Sequence, residues 1–182
     1  MLNIIPQLAD ASYYDRDFDT AAVKIVAGEF YATADATAIT TLLGSCVSVC
    51  LYDRQAGIGG MNHFMLPELL AGGVPVACAG ACTENCCARY GSCAMKQLLQ
   101  RLELLGASRR RLEAKLFGAA RMIAGMADIG QKNAAFALNH LKGQKIPVIT
   151  SDLGECCPRK VIFFPATGRA FVKRVRDLPA GI

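Results

Sequence analysis

The amino-acid sequence predicts an α+β fold, with a mixed β-sheet or a β-sandwich core flanked by helices. The chain has 182 residues, of which 53% are hydrophobic, and this is enough for one globular domain with a sizeable core. Several short segments are rich in β-branched and aromatic residues and predict strands. Only two segments have the apolar spacing of amphipathic helices, and they do not alternate strictly with the strands. We expect residues 1–22 to form an extended leader or arm and residues 23–182 to form a single domain.

The sequence of the first half of this domain predicts mainly strands. Their β-branched and aromatic residues place them at 23–31, 37–43 and 47–53. Gly44 and Ser45 separate the second strand from the third and allow the backbone to turn sharply at Cys46. A short apolar run that contains His63 and stops at Pro67 predicts a further strand. His63 should therefore lie in a sheet, next to the strand that follows Cys46.

The second half contains both helices. Small residues dominate the segment 67–87, which we interpret as a surface loop or lid. Residues 94–106 carry apolar side chains at helical spacing and end in a glycine suited to a C-cap, and residues 129–143 form a second amphipathic pattern closed by Gly143. Further strands are predicted at 111–118 and 146–153, followed by a hairpin at 160–175 whose turn is PATG.

Composition narrows the compartment and the class of partner. The N-terminus has no basic start and no long apolar run, so we expect neither a secretory signal nor membrane insertion, and we place the protein in the cytoplasm. The formal net charge is +5, with basic clusters at 109–111 and 169–176. Such clusters are typical of a solvated face or of attraction to an acidic protein. No aromatic stacking pattern accompanies them, and nucleic acid is not an expected partner.

Nine cysteines are present, and in the cytoplasm their odd number favours reduced thiols over a disulfide framework. Cys50 lies four residues beyond Cys46, roughly 13 Å along an extended strand at ~3.3 Å per residue, which argues against a redox pair. The remaining cysteines have no common zinc spacing, so we expect no metal. They stand at positions 78, 82, 86, 87, 93, 156 and 157.

Two histidines are available for acid–base chemistry. His140 falls near the end of the second predicted helix, where an imidazole is well tolerated. His63 lies between glycines and a proline, and Cys46 ends a turn that can present backbone N–H groups beside a thiol. This pair could act as base and nucleophile. From the residues alone, a packing role remains open for both, because a free cysteine is most often a small buried hydrophobe.

Several blocks occur together in one order: TTLLGSCVSVCLYD, GGMNHFMLP, LEAKLFG, IGQKN, and then DLG, PRKV and FFPATGRAFVKRV. This pattern, from about residue 23 to 176, strongly resembles the bacterial chemoreceptor glutamine deamidases, the CheD family. The chain departs from the usual family pattern in FGAARM, which has one glycine after the phenylalanine, and in DLGECCPRKV. These departures leave the candidate catalytic positions intact.

The resemblance implies a catalytic set of Cys46, His63 and Thr40, with Thr41 as the alternative third residue, and with Gly44 and Ser45 supporting an oxyanion site. It implies a fold similar to the cysteine hydrolase domain of deamidating toxins. It also implies hydrolysis of carboxamide C–N bonds of glutamines on methyl-accepting chemotaxis receptors, with no cofactor. A CheC-type CheY-phosphate phosphatase is a further implied partner. The alternative is a non-catalytic module that binds a receptor or a phosphatase.

Overall fold

Two five-stranded sheets form the centre of the α+β fold. The computed structural model describes residues 12–68, 70–71, 74–75, 88–122 and 129–175. The first sheet contains, in spatial order, β1 (Ser12–Asp15), β2 (Thr20–Lys24), β4 (Ala38–Leu43), β11 (Arg159–Phe164) and β12 (Arg169–Arg174). The second contains β10 (Val148–Leu153), β9 (Glu113–Gly118), β5 (Val47–Asp53), β6 (Ile58–Asn62) and β3 (Phe30–Thr33).

Both sheets are mixed. Strands β2 and β4 run parallel in the first sheet, and β9 and β10 run parallel in the second, whereas the other neighbouring pairs are antiparallel. Two short strands, β7 (Leu70–Ala71) and β8 (Val74–Pro75), pair with each other. The helices α1 (Gly91–Leu105) and α2 (Ile129–Gly143) complete the described elements, together with a single 3-10 turn at Arg109–Arg111.

The central strand β5 is buried along its whole length because it has a core on each side. Val47, Val49 and Leu51 pack in one hydrophobic cluster with side chains of α1 and α2. Cys50 and Tyr52, which alternate with them, pack in a second cluster with side chains of the first sheet. The molecule therefore has three layers, with the second sheet between the first sheet and the helices, and this confirms the predicted sandwich flanked by helices.

Most of the predicted elements are confirmed. The two helices lie where their apolar periodicity predicted them, and Gly106, with φ 104°, caps α1. Helix α2 ends at Gly143, as predicted, and the left-handed residue beyond its end is Lys145, with φ 57°. The predicted strands at 37–43, 47–53, 111–118 and 146–153 and the hairpin at 160–175 correspond to β4, β5, β9, β10 and β11–β12.

The predicted strand at 23–31 is wrong, because the chain breaks within it and its two ends belong to different sheets. Gly28 adopts φ +87°, and its N–H donates to the carbonyl oxygen of His63 at 2.7 Å. Strand β2, Thr20–Lys24, also spans the predicted boundary at residue 22, so residues 12–22 belong to the first sheet. Residues 1–11 and most of the predicted loop at 67–87 lie outside the described residues. Neither described helix is long and apolar enough to cross a membrane.

Candidate active site

Cys46 and His63 lie on the same face of the second sheet. Two residues after the end of β6, Phe64 forms an isolated antiparallel bridge with Val47, and the two residues exchange backbone hydrogen bonds of 3.1 and 3.0 Å. Both of these side chains pack toward the helices. Cys46 and His63 each precede one member of this pair, so they stand on the opposite face as diagonal neighbours, with Cα atoms typically 7–8 Å apart. His63 therefore lies beside the start of β5, as predicted, but just past the end of β6 at Asn62 and not within a strand.

The backbone around Cys46 is held by the end of β9. The carbonyl oxygen of Cys46 accepts a hydrogen bond from Ala119 N–H at 2.8 Å, and that of Gly44 accepts one from Ala120 N–H at 2.8 Å. Gly118 makes this approach possible, because a Cβ at that position would lie 2.2 Å from the Cys46 carbonyl oxygen. The candidate nucleophile therefore sits on a tightly fitted turn.

Partial burial of the Cys46 side chain raises the pKa of its thiol, and the N–H of the same residue lowers that pKa in part by hydrogen bonding to the sulfur. The N–H of Cys46 is thus on the same side as its Sγ atom. A donor in that position is suited to an oxyanion that forms when the sulfur attacks a carbonyl group.

His63 is 5% exposed and is oriented by Thr41. The Thr41 hydroxyl donates to the carbonyl oxygen of Ile25 at 2.8 Å, and its oxygen lies 2.8 Å from His63 Nδ1. Because the hydroxyl proton is used on Ile25, the oxygen accepts from Nδ1–H, and the neutral ring carries its lone pair on Nε2. Nε2 is buried and has no hydrogen-bond partner among the described residues. The free lone pair is available to a proton donor.

The Cys46 thiol and the His63 imidazole are both uncharged in the resting site. Burial lowers the pKa of His63 to about 4, so the imidazole is neutral near pH 7. The raised pKa of Cys46 keeps its thiol protonated at the same pH. The site is therefore arranged for proton transfer during attack by the sulfur, instead of a preformed thiolate–imidazolium pair.

Among the described residues, Thr40 has no hydrogen bond to His63, and its backbone carbonyl oxygen accepts one from Ile25 N–H at 2.9 Å, so the structure favours the alternative third residue. Adjacent residues of a strand face opposite sides of a sheet, and in β4 it is Thr41 that faces the second sheet. The hydroxyl of Thr40 lies 3.1 Å from that of Tyr13, which stands on β1. The alternative kept open at the sequence level, Thr41, is the residue that the structure brings to the histidine.

Gly44 and Ser45 form the turn that precedes Cys46. A Cβ at Gly44 would contact the side chain of Met122 at 3.4 Å, so the turn is covered on that side. The Ser45 carbonyl oxygen accepts a hydrogen bond of 3.1 Å from Asn133 of α2. No functional role was predicted for Asn133, although it ends the IGQKN block.

Among the described residues, the other free thiols and His140 make no hydrogen bond to Cys46 or His63. Cys50 is fully buried, which raises its pKa, and the ring of His140 packs on Phe136 with centroids 5.6 Å apart. Cys156 and Cys157 are free thiols, whereas Cys93 is disulfide-bonded, which differs from the expectation that the thiols are reduced. Within the described residues, no three His, Cys, Asp or Glu side chains are grouped to hold a metal. Residues 78, 82, 86 and 87 lie outside those residues.

Comparisons with known proteins show the family to which the chain belongs. The sequence model of the family described as CheD chemotactic sensory transduction matches residues 65–174. Curated proteins named probable chemoreceptor glutamine deamidase CheD from Methylobacillus flagellatus and Thiobacillus denitrificans are each 46% identical over 174 residues, covering 94% of this chain and 83% of the relative. The CheD 1 protein of Shewanella oneidensis is 47% identical over 168 residues, covering 91% of this chain and 78% of that protein. The chain belongs to the CheD family.

Proposed function

We propose that this protein is a hydrolase that deamidates glutamine side chains of methyl-accepting chemotaxis receptors, releasing ammonia and leaving glutamate. The observation that carries the proposal is the oriented His63, whose Nδ1–H is bonded to Thr41 and whose Nε2 is free on the face shared with Cys46. The printed names of the relatives, chemoreceptor glutamine deamidases, support the choice of substrate.

The first half of the reaction forms a thioester. Nε2 of His63 takes the thiol proton as Cys46 Sγ attacks the carboxamide carbon of the glutamine. The negative charge that develops on the carboxamide oxygen is stabilised by the N–H of Cys46, and one such donor is typically worth about 3 kcal/mol. The carbon–nitrogen bond then breaks, and the imidazolium gives its proton to the departing nitrogen, which leaves as ammonia.

The second half returns the enzyme to its starting state. His63 takes a proton from a water molecule, and the resulting hydroxide attacks the thioester carbon. The carbon–sulfur bond breaks, the sulfur recovers a proton from the imidazolium, and glutamate is released. Thr41 holds the ring in one tautomer through both steps, which is the role of the third residue in other catalytic triads. The reaction consumes one water per glutamine, and no cofactor enters its balance.

The wider setting is part of the same proposal. We infer a fold similar to that of deamidating toxins, which the sandwich with a cysteine and a histidine on one inner face supports. Chemotaxis receptors carry their modified glutamines on a cytoplasmic helical domain, so the cytoplasm is the compartment in which this chain would act. A CheC-type phosphatase is a further proposed partner, by family resemblance.

The test compares wild type with Cys46→Ala and Cys46→Ser on a receptor cytoplasmic fragment. Ammonia release and the mass gain of each glutamine-containing peptide are followed together, so that deamidation is assigned to sites. We expect wild type to convert specific glutamines and both variants to be inactive while still binding the fragment. Equal deamidation by Cys46→Ala would refute the cysteine mechanism. Binding without deamidation by wild type would favour a receptor-binding module.

A further inference from the structure

Asn133 is a fully buried amide that joins the two catalytic segments. Its Nδ2 atom lies 3.1 Å from the carbonyl oxygen of Ser45 and 2.8 Å from that of Met65. Because both partners are carbonyl oxygens, the group that faces them must be the amide NH₂, which can donate one hydrogen to each. Ser45 directly precedes Cys46, and Met65 follows His63 by two residues. One side chain therefore ties the nucleophile turn to the histidine segment.

The bond to Ser45 fixes the direction of the next N–H group. In a trans peptide, the carbonyl and the N–H of one peptide unit point in opposite directions within one plane. Asn133 holds the Ser45 carbonyl toward α2, so the N–H of Cys46 is directed away from α2. In the described part of the chain, that N–H has no carbonyl acceptor, and it faces the sulfur of its own residue. Its hydrogen bond to the attacking sulfur places it beside the position that an oxyanion would take.

Helix α2 is a rigid support for this contact. Ala137 and Leu141, farther along the helix, are fully buried in the core beside the second sheet. Near its start, Gly130 packs so closely on the end of β9 that a Cβ there would lie 2.5 Å from the carbonyl oxygen of Ala119. The helix therefore cannot shift without disturbing the strand end that also holds Cys46.

We propose that Asn133 is a positioning residue that sets the N–H of Cys46 as the oxyanion donor and keeps the Cys46 and His63 segments in register. This inference rests on the proposed function, since an oxyanion forms only if Cys46 attacks a carbonyl group. Asn133 acts through the backbone of its neighbours and touches no reacting atom. Loss of the Asn133 amide should therefore lower the rate of the chemical step and leave the affinity for the receptor unchanged.

The experiment uses the full chain with Asn133→Leu, which is similar in size but donates nothing, and Asn133→Ala, which leaves room for water. Leu141→Ala is the matched control, because it removes a buried side chain of the same helix far from Cys46. For each variant, kcat and KM for the receptor fragment are measured per folded molecule. The pH profile of Cys46 alkylation by iodoacetamide is followed by peptide mass spectrometry.

We expect both Asn133 variants to lose about 10- to 100-fold in kcat, with KM within about twofold of wild type. Their Cys46 alkylation profile should move to higher pH, because the thiolate loses its correctly placed N–H donor. Leu141→Ala should lower the melting temperature but keep the wild-type kcat and alkylation profile.

Three results would overturn the assignment. They are a wild-type kcat in both Asn133 variants, an equal loss of kcat in Leu141→Ala, and failure of both Asn133 variants to fold, which would make the residue purely structural. If wild type itself releases no ammonia, the proposed deamidation fails. The alkylation profile needs no receptor and would still decide whether Asn133 positions the Cys46 turn.

Discussion

The Thr41 hydroxyl lies 2.8 Å from His63 Nδ1 and donates to the Ile25 carbonyl oxygen at 2.8 Å, so it fixes both the ring orientation and the tautomer of the histidine. Replacing it by valine keeps the shape and removes the acceptor. We expect Thr41→Val to lower kcat by roughly 10- to 100-fold, less than the ~10⁴-fold that loss of a triad carboxylate costs. The measurement is the steady-state rate of ammonia release from a receptor fragment.

Two variants control this prediction. Thr41→Ser retains the hydroxyl and should recover most of the rate. Thr40→Val removes the neighbouring hydroxyl, which faces Tyr13 and not the histidine, and should leave kcat within about twofold of wild type. A greater loss in Thr40→Val than in Thr41→Val would show that the orienting group had been assigned to the wrong threonine.

The choice between these two threonines illustrates what the sequence could and could not predict. The sequence blocks and the family that they resemble implied a threonine before Cys46 in the site. They did not determine which of two adjacent residues faces His63, because that depends on how β4 packs against the second sheet. Side chains alternate along a strand, so a shift of one residue reverses the answer. Asn133 was missed for the same reason, since it lies 88 positions from Ser45 and only the fold brings them together.

Acid should destabilise the protein through His63. Its pKa is about 4 in the folded protein, against 6.5 for the ordinary group, so between these values the unfolded chain binds a proton that the folded chain does not. The contribution of His63 to the free energy of unfolding is therefore fully present above pH 6.5. It is lost as the pH is lowered toward 4, by roughly 3 kcal/mol at most. Urea unfolding of wild type across this range measures the loss.

His63→Asn is the matched variant, because its amide can still donate to Thr41 but does not titrate near pH 5. The free energy of unfolding of this variant should change less between pH 6.5 and 4 than that of wild type. A slope that both proteins share belongs in part to His140, whose pKa burial also lowers. Identical slopes in the two proteins would contradict a buried, neutral His63.

Helices and hairpins could be predicted where they depend on residues that are close together in the sequence. Both helices follow from apolar spacing within about four turns, and the PATG hairpin follows from its turn residues. The break at Gly28 could not be predicted from nearby residues, because its positive φ accompanies a hydrogen bond to His63, which is distant in sequence. Residues 23–31 have the composition of one strand, and only the pairing of their two ends in different sheets divides them.

The end of α2 offers a test of stability that leaves the site untouched. Lys145 is exposed and left-handed, with φ 57°, whereas Gly143 is helical and has nothing within 4 Å of its Cβ position. Lys145→Gly relieves the strain of the left-handed backbone but adds the greater backbone entropy of glycine in the unfolded chain. The net effect should be a stabilisation of about 0.5–1 kcal/mol. Gly143→Ala should add about 1 kcal/mol. Thermal unfolding of the single and double variants checks both values, and a destabilised Gly143→Ala would argue against a helix that extends to residue 143.

Gly118 should be the most sensitive glycine of the site. Its φ is +112°, and a Cβ would lie 2.2 Å from the carbonyl oxygen of Cys46, so an added methyl must displace the nucleophile turn. We expect Gly118→Ala to lose several kcal/mol of stability and most of its activity, because strain and a backbone clash act together. Gly57→Ala is the control, with φ +68° and open space around the Cβ position, and it should cost about 1–2 kcal/mol while keeping kcat. Full activity in a folded Gly118→Ala protein would mean that Cys46 tolerates a displaced turn, which the proposed oxyanion geometry does not allow.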